Sequence, residues 1–102
     1  MPYKKNIFNE YAEKVAEAHS ISLKTLFTKD KSHQISGARH MLYYLCKKRP
    51  MQIASIETYM KENGYNITHS SIIHGLNSVA TNKLNDKDFM AMCSKIEECV
   101  TA

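Results

Sequence analysis

The amino-acid sequence predicts an all-α fold of about six helices in one domain. Of its 102 residues 43% are hydrophobic, and there are only three glycines and two prolines, a composition typical of helical proteins. Apolar residues recur every three or four positions through most of the chain, which is the spacing of a helix with one buried face. A chain of this length has room for one modest core. We therefore expect residues 1–102 to form a single domain.

The individual helices follow from this spacing and from residues that commonly begin or end helices. Ser22, Thr68 and Asn85 are expected N-caps, because their side chains can accept hydrogen bonds from the amides of a first turn. Pro50 and the pair Asn63-Gly64 are expected to end two helices. The predicted helices cover about residues 6–19, 23–27, 33–48, 52–62, 68–80 and 85 to the end.

The helix that begins near Thr68 carries the most informative surface. Its apolar stripe is expected to face the core and consists of Ile72, Leu76, Val79 and Ala80. Its first turns keep only short hydrogen-bonding groups on the outside, namely His69, Ser70, Ser71, His74 and Asn77. Such a face suits the base edges in the major groove of duplex DNA.

Residues 66–75 resemble the signature of the C-terminal DNA-binding domain of the bacterial replication initiator DnaA. That signature reads Gly-Arg-Asp-His-Thr-Thr-Val, any residue, His-Ala, and this chain has Asn-Ile-Thr-His-Ser-Ser-Ile-Ile-His-Gly. The resemblance extends over about residues 6–96. It implies a helix-turn-helix of the Trp-repressor-like type, whose recognition helix begins at about Thr68. It also implies base contacts from Thr68, His69, Ser70 and Ser71.

Three departures from the family pattern bear on what is recognised. Ile67 stands where the family has arginine, and Thr68 stands where it has aspartate. Because threonine reads bases less selectively than aspartate, the family's own target sequence does not carry over. Thirteen steps separate Ile56 from His69 where the family usually has nine, so a helical turn or a longer loop precedes the recognition helix.

The resemblance also implies contacts to the DNA backbone, from the loop residues Lys29, Lys31 and His33 and from Arg39. The basic cluster at the end of the third helix adds Lys47 and Lys48 as expected phosphate contacts. The loop from Lys29 to His33 corresponds to a loop that inserts an arginine into the minor groove, and Lys31 occupies that place. Lysine lacks the flat guanidinium that fits a narrow groove, so we expect phosphate or shallow groove contact.

Three of these contacts have alternative interpretations. Arg39 matches an arginine of the family and is expected either to contact phosphate or to brace the basic loop through a carboxylate such as Asp30. Lys47 and Lys48 fall in the last turn of a helix, where cations complement the helix dipole, so helix capping is an alternative to phosphate binding.

Charge is distributed unevenly along the chain, whose formal net charge is +4. Residues 24–49 contain seven basic residues and one acid, whereas residues 86–102 contain four acids and two lysines. A polyanion would therefore meet the middle of the chain, and the last helix should lie away from it. A solvated lysine face is the alternative explanation.

The sequence contains no pattern that indicates catalysis, a cofactor or a metal. The three glycines are isolated, so there is no phosphate-binding loop, and the histidines and cysteines lack zinc-site spacing. The three cysteines form no Cys-x-x-Cys pair, and we expect them to be buried free thiols in a reducing compartment. No segment is apolar over the length of a membrane span. We expect a cytoplasmic protein, associated with the nucleoid, that is not an enzyme.

Two other functions remain open from the sequence. One is a protein-interaction module for replication-initiation or regulatory proteins, in which Ile67, with Tyr65 beside it, converts the DNA face into a protein face. The other is a dimeric transcriptional repressor, since helix-turn-helix proteins commonly read two-fold sites. The sequence leaves the choice between replication and transcription open.

Overall fold

The computed structural model describes residues 2–29 and 32–100. Over these ranges the chain is helical throughout, with no strand, so the predicted all-α fold of about six helices is confirmed. No helix in the described ranges combines the length and the apolarity that crossing a bilayer requires. The helices are α1 (Pro2–Ala18), α2 (Leu23–Leu26), α3 (His33–Lys48), α4 (Ile53–Glu62), α5 (His69–Asn82) and α6 (Lys87–Cys99).

Helix α3 is the centre of the fold, because it packs against each of the other five helices. A helix surrounded in this way buries more than one stripe. The buried residues of α3 are Ile35, Ala38, Arg39, Met41, Leu42, Tyr43, Leu45 and Cys46. Apolar spacing in the sequence predicts six of these, the exceptions being Arg39 and Tyr43, and predicts that one of Tyr43 and Tyr44 is partly exposed. The structure buries Tyr43 and leaves Tyr44 half-buried.

The helix ends follow the expected chemistry with two corrections. The hydroxyls of Ser22 and Thr68 accept from the amides three residues on, as predicted. Helix α1 begins at Pro2, earlier than the predicted start near Asn6, and proline suits the first position of a helix. The N-cap of α6 is Asp86 and not Asn85, since its carboxylate accepts from the amides of residues 88 and 89 and favours the positive end of the helix.

Two burial predictions are wrong. Ala80 is exposed, and Gly75 takes its place on the buried stripe of α5. A Cβ at Gly75 would lie 2.8 Å from His40 Cδ2 and 2.9 Å from Tyr43 Cδ2, so α5 crosses α3 at a distance that only glycine allows. Cys99 is exposed, whereas Cys46 and Cys93 are buried as expected, and burial raises the pKa of Cys93 to about 11.

Candidate nucleic-acid interface

The connection between α4 and α5 fixes the position of the α5 start. Gly64 adopts a φ of +86° just after α4, a conformation that favours glycine. The amide of Tyr65 donates to the carbonyl of Met60 at 3.0 Å. Ile67 is 8% exposed and joins the core. The chain therefore leaves α4 by a tight turn and is anchored in the core one residue before the N-cap of α5.

Ile67 is mostly buried, and only its small exposed part lines the groove beside Tyr65. At this position the DnaA signature has an arginine, and this chain has a core residue. The protein-interaction alternative, in which Ile67 and Tyr65 form a protein face, stays a prediction.

The first turns of α5 present the polar side chains that the sequence predicts. All five residues of the expected outer face are exposed, while Ile72 beneath them is fully buried. The hydroxyls of Thr68 and Ser71 lie 3.0 Å apart, and that of Thr68 also accepts from the Ser71 amide. Whichever hydroxyl donates in this pair, the other keeps its proton for an external acceptor.

His69 lies on the flank of α5 that faces α4. Its Nδ1 atom is 3.9 Å from Glu57 Oε1, too far for a hydrogen bond, and its side chain is 55% exposed. The other oxygen of Glu57 is paired with Lys61 Nζ at 3.0 Å, which offsets the negative charge beside the helix start. His69 therefore remains available to an external ligand.

Arg39 connects the loop after α2 to the turn before α5. Its side chain is buried, with 4% of the residue exposed. Nη1 donates to the carbonyls of Thr28 at 2.8 Å and Leu26 at 3.4 Å, and the guanidinium lies 4.9 Å from the ring centroid of Tyr65. Arg39 thus braces the loop, which is the second of the two roles expected for it, and acts through backbone carbonyls. The other expected role, direct contact with phosphate, is wrong, because a side chain so enclosed does not reach DNA.

The other expected backbone contacts are distributed over the surface. Lys29 is exposed directly after the Thr28 carbonyl that Arg39 holds, so it lies near the α5 start. Lys31 lies outside the described residues. His33 is exposed at the start of α3, and it lines a small cavity together with Lys83 from the C-terminal end of α5. His33 therefore lies away from the helix start that was expected to enter the groove.

Lys47 and Lys48 are both exposed at the end of α3. Lys48 Nζ lies 3.1 Å from Glu97 Oε1 of α6, and the hydrogen bond to this carboxylate raises the pKa of Lys48. Lys48 is thus paired with the acid-rich last helix, and its expected phosphate contact stays a prediction.

A groove of about 510 Å³ separates α3 from the start of α5. It is lined by Ser36, Arg39, His40, Tyr43, Tyr65, Ile67, Ser70, Ser71 and His74. Apart from Ile67, each of these side chains can donate a hydrogen bond, and the lining, so far as the structure describes it, contains no carboxylate. Burial lowers the pKa of His40, and His74, Arg39 and Lys83 lower it further by their charge.

Sequence reasoning did not identify Ser36 and His40 as site residues. With Tyr43 they repeat at four and three positions along α3, which places the three side chains on one helix face. Polar residues on one face of a helix whose other faces are mostly apolar are the sequence signal that could have indicated a binding site there.

Comparison with known proteins gives a likeness of fold. No protein-family model and no curated protein matches the chain. Among solved structures the chain is similar to a DNA replication initiation factor, with a TM-score of 0.73 and 18% sequence identity. The likeness covers 95% of this chain and 29% of that protein, so this chain spans less than a third of its length. In fold, the chain resembles the C-terminal domain of the DnaA initiator, as its sequence predicts.

Proposed function

We propose that this chain is a single domain that binds duplex DNA sequence-specifically. Helix α4, the turn and α5 act as a Trp-repressor-like helix-turn-helix, with the start of α5 in the major groove. One observation carries the proposal: the exposed, uncharged donors and acceptors at the α5 start adjoin a groove that is rich in hydrogen-bond donors and whose described lining has no carboxylate. The fold likeness to a DNA replication initiation factor supports it.

Base recognition falls to Thr68, His69, Ser70 and Ser71. Ser70 and His69 are exposed, and their side chains exchange hydrogen bonds with base edges. Thr68 and Ser71 form one unit, since their hydroxyls are paired, and this unit offers one proton to a base or a phosphate. The preferred sequence accordingly differs from that of a helix that begins with aspartate.

Contacts to the DNA backbone orient the domain without reading sequence. Lys29 and Lys31 hold the backbone at the adjoining minor groove, and Lys47 adds a peripheral phosphate contact. Arg39 supports these contacts indirectly, because it fixes the Thr28 carbonyl against the turn that precedes α5. The proposal includes no catalytic or cofactor-dependent step.

The biological setting we propose is replication initiation or its regulation. The domain binds an origin site, or it occupies sites that an initiator would otherwise bind, in association with the nucleoid. Transcription regulation from the same sites uses the same contacts. Proteins of replication initiation are further partners in this setting.

Selection of bound duplexes from a random pool at physiological salt tests the proposal. The wild-type protein should enrich one motif, and His69→Ala should flatten that motif while retaining weak binding to all duplexes. Asn82→Ala is the matched control, because Asn82 is exposed in the last turn of the same helix and should leave the motif intact. A wild-type protein that binds no duplex even at low salt contradicts the proposal.

A further inference from the structure

The groove between α3 and α5 contains two histidines that the proposed base contacts do not use. His40 of α3 and His74 of α5 both line it, close enough that charge on His74 lowers the pKa of His40. The hydroxyls of Ser36, Ser70 and Ser71 line the same space. Imidazole and hydroxyl groups that converge on one concave surface form a donor set suited to an oxyanion.

The charges around this groove are positive on the sides the structure describes. Arg39 from α3 and Lys83 after α5 act on His40. His19 from α1 and His33 line the adjoining cavity with His40 and Lys83, where Phe89 of α6 contributes only an apolar ring. On the α4 side the acid is Glu57, which lies on the opposite flank of α5 between Lys61 and His69. Tyr43 stays neutral, because burial raises its pKa.

We propose that this groove binds a phosphate group of the DNA backbone and that binding is coupled to protonation of His40 and His74. The source of the phosphate rests on the proposed function; the phosphate site itself rests on the groove. Without a ligand, burial and neighbouring cations disfavour the charged form of the His40 imidazole. A phosphate between His40 and His74 favours the charged form of each ring and accepts hydrogen bonds from both rings and from the serine hydroxyls.

The sign of the resulting pH dependence follows from linkage. A phosphate that raises the pKa of a histidine on binding takes up a proton, so affinity rises as the pH falls through the range between the bound and the unbound pKa. Each linked histidine contributes up to about a tenfold change in affinity per pH unit within that range. Duplex binding should therefore be tighter at pH 6 than at pH 8.

Histidine titration by NMR on the wild-type protein tests the site without any substitution. A short duplex should raise the pKa of both His40 and His74. If the duplex binds and neither pKa moves, the inference is wrong while the proposed function stands.

Titration with inorganic phosphate separates the two possible sources of the anion. If the protein binds no duplex but inorganic phosphate raises both pKa values, the proposed function fails and the phosphate site is supported. If the duplex binds without effect and inorganic phosphate raises both values, the site takes a free phosphate and the backbone assignment is overturned. If neither ligand moves either pKa, the groove is not a phosphate site.

Duplex affinity from pH 8 to pH 6 gives an independent measurement. His74→Gln, at an exposed position, should remove part of the wild-type pH dependence, and the double variant with His40→Gln should remove more. Asn82→Ala is the control, because Asn82 is exposed in the last turn of the same helix and does not titrate. Variants of His40 and His74 that keep the full wild-type dependence overturn the inference.

Discussion

The first half of α3 and its C-terminal end use their basic residues differently. In the first half, Arg39 is buried and holds the backbone of the Leu26–Thr28 segment, and the adjoining groove offers histidines and hydroxyls to the outside. At its end, Lys48 pairs with Glu97, and Arg49 donates to the Val100 carbonyl and the Tyr11 hydroxyl. A run of basic residues therefore does not by itself locate a ligand surface. A basic residue is available to a ligand only where no other group of the protein already binds it.

The largest effect on stability is expected in the first half of α3, at Arg39. Arg39→Ala deletes a buried guanidinium and leaves two carbonyls without that donor, so the free energy of unfolding should fall by about 2–4 kcal/mol. Urea denaturation measures this. Arg49→Ala is the matched control at the other end, where the side chain is more exposed, and should cost less. Equal losses would show that the two ends do not differ as we describe.

The next largest effect on stability is expected at the crossing of α3 and α5. Gly75→Ala places a methyl group 2.8 Å from His40 Cδ2, which should destabilise the protein by about 1–3 kcal/mol through overpacking and should widen the groove. Thermal and urea unfolding report the loss.

Gly37→Ala is the control for that substitution. Gly37 is helical, and a Cβ there meets no atom within 4 Å. The change should stabilise α3 by about 0.5–1 kcal/mol, because alanine loses less backbone entropy than glycine. The same sign of change for both glycines would contradict the close crossing.

DNA affinity should distinguish the lysine predicted to contact the minor groove, Lys31, from Lys48 beside α6. Lys31→Ala should weaken binding to all sequences alike and lower the slope of log affinity against log salt by about one, whereas His69→Ala should cost about 1–3 kcal/mol on the preferred site only. Lys48→Ala should change neither quantity, since Lys48 is paired with Glu97. If the Lys31 and Lys48 variants lower the salt slope equally, both lysines contact DNA and the distinction between them is wrong.

Much of the fold was predictable from the sequence because its signals are local. Apolar spacing and capping residues such as Ser22 and Thr68 act within one or two turns, and the structure confirms those caps. The choice of Asp86 over Asn85 was not decided locally, because both side chains can cap a helix and they are adjacent.

The site was less predictable because its chemistry depends on partners distant in sequence. Arg39 binds carbonyls 11 and 13 residues away, and Lys48 binds Glu97 at a separation of 49 residues. No local pattern reveals either partner. His40 became visible as a site residue only when α5 was placed across it, at the glycine that permits the crossing.

Acid should weaken the fold on the α5 side of the molecule. Burial lowers the pKa of His40 in the folded protein, so the unfolded chain, in which the pKa is about 6.5, binds protons more readily. The contribution to stability is complete above pH 6.5 and is lost as the pH falls through the folded value. Urea unfolding of the wild type and of His40→Gln between pH 7.5 and 5.5 measures it; the variant should lose less stability on acidification.

The smallest effect on stability is expected at the end of α3, where the sequence has its densest positive charge. Lys48 and Glu97 are about 48% and 28% exposed, so water screens their attraction, and Lys48→Ala should change the free energy of unfolding by less than about 1 kcal/mol. Glu97→Gln, which removes the partner and keeps the side-chain volume, should free Lys48 for an external anion. The salt slope for duplex binding should then stay unchanged, because Lys48 lies against α6 and not beside the α5 start. A steeper slope would place the end of α3 within reach of DNA.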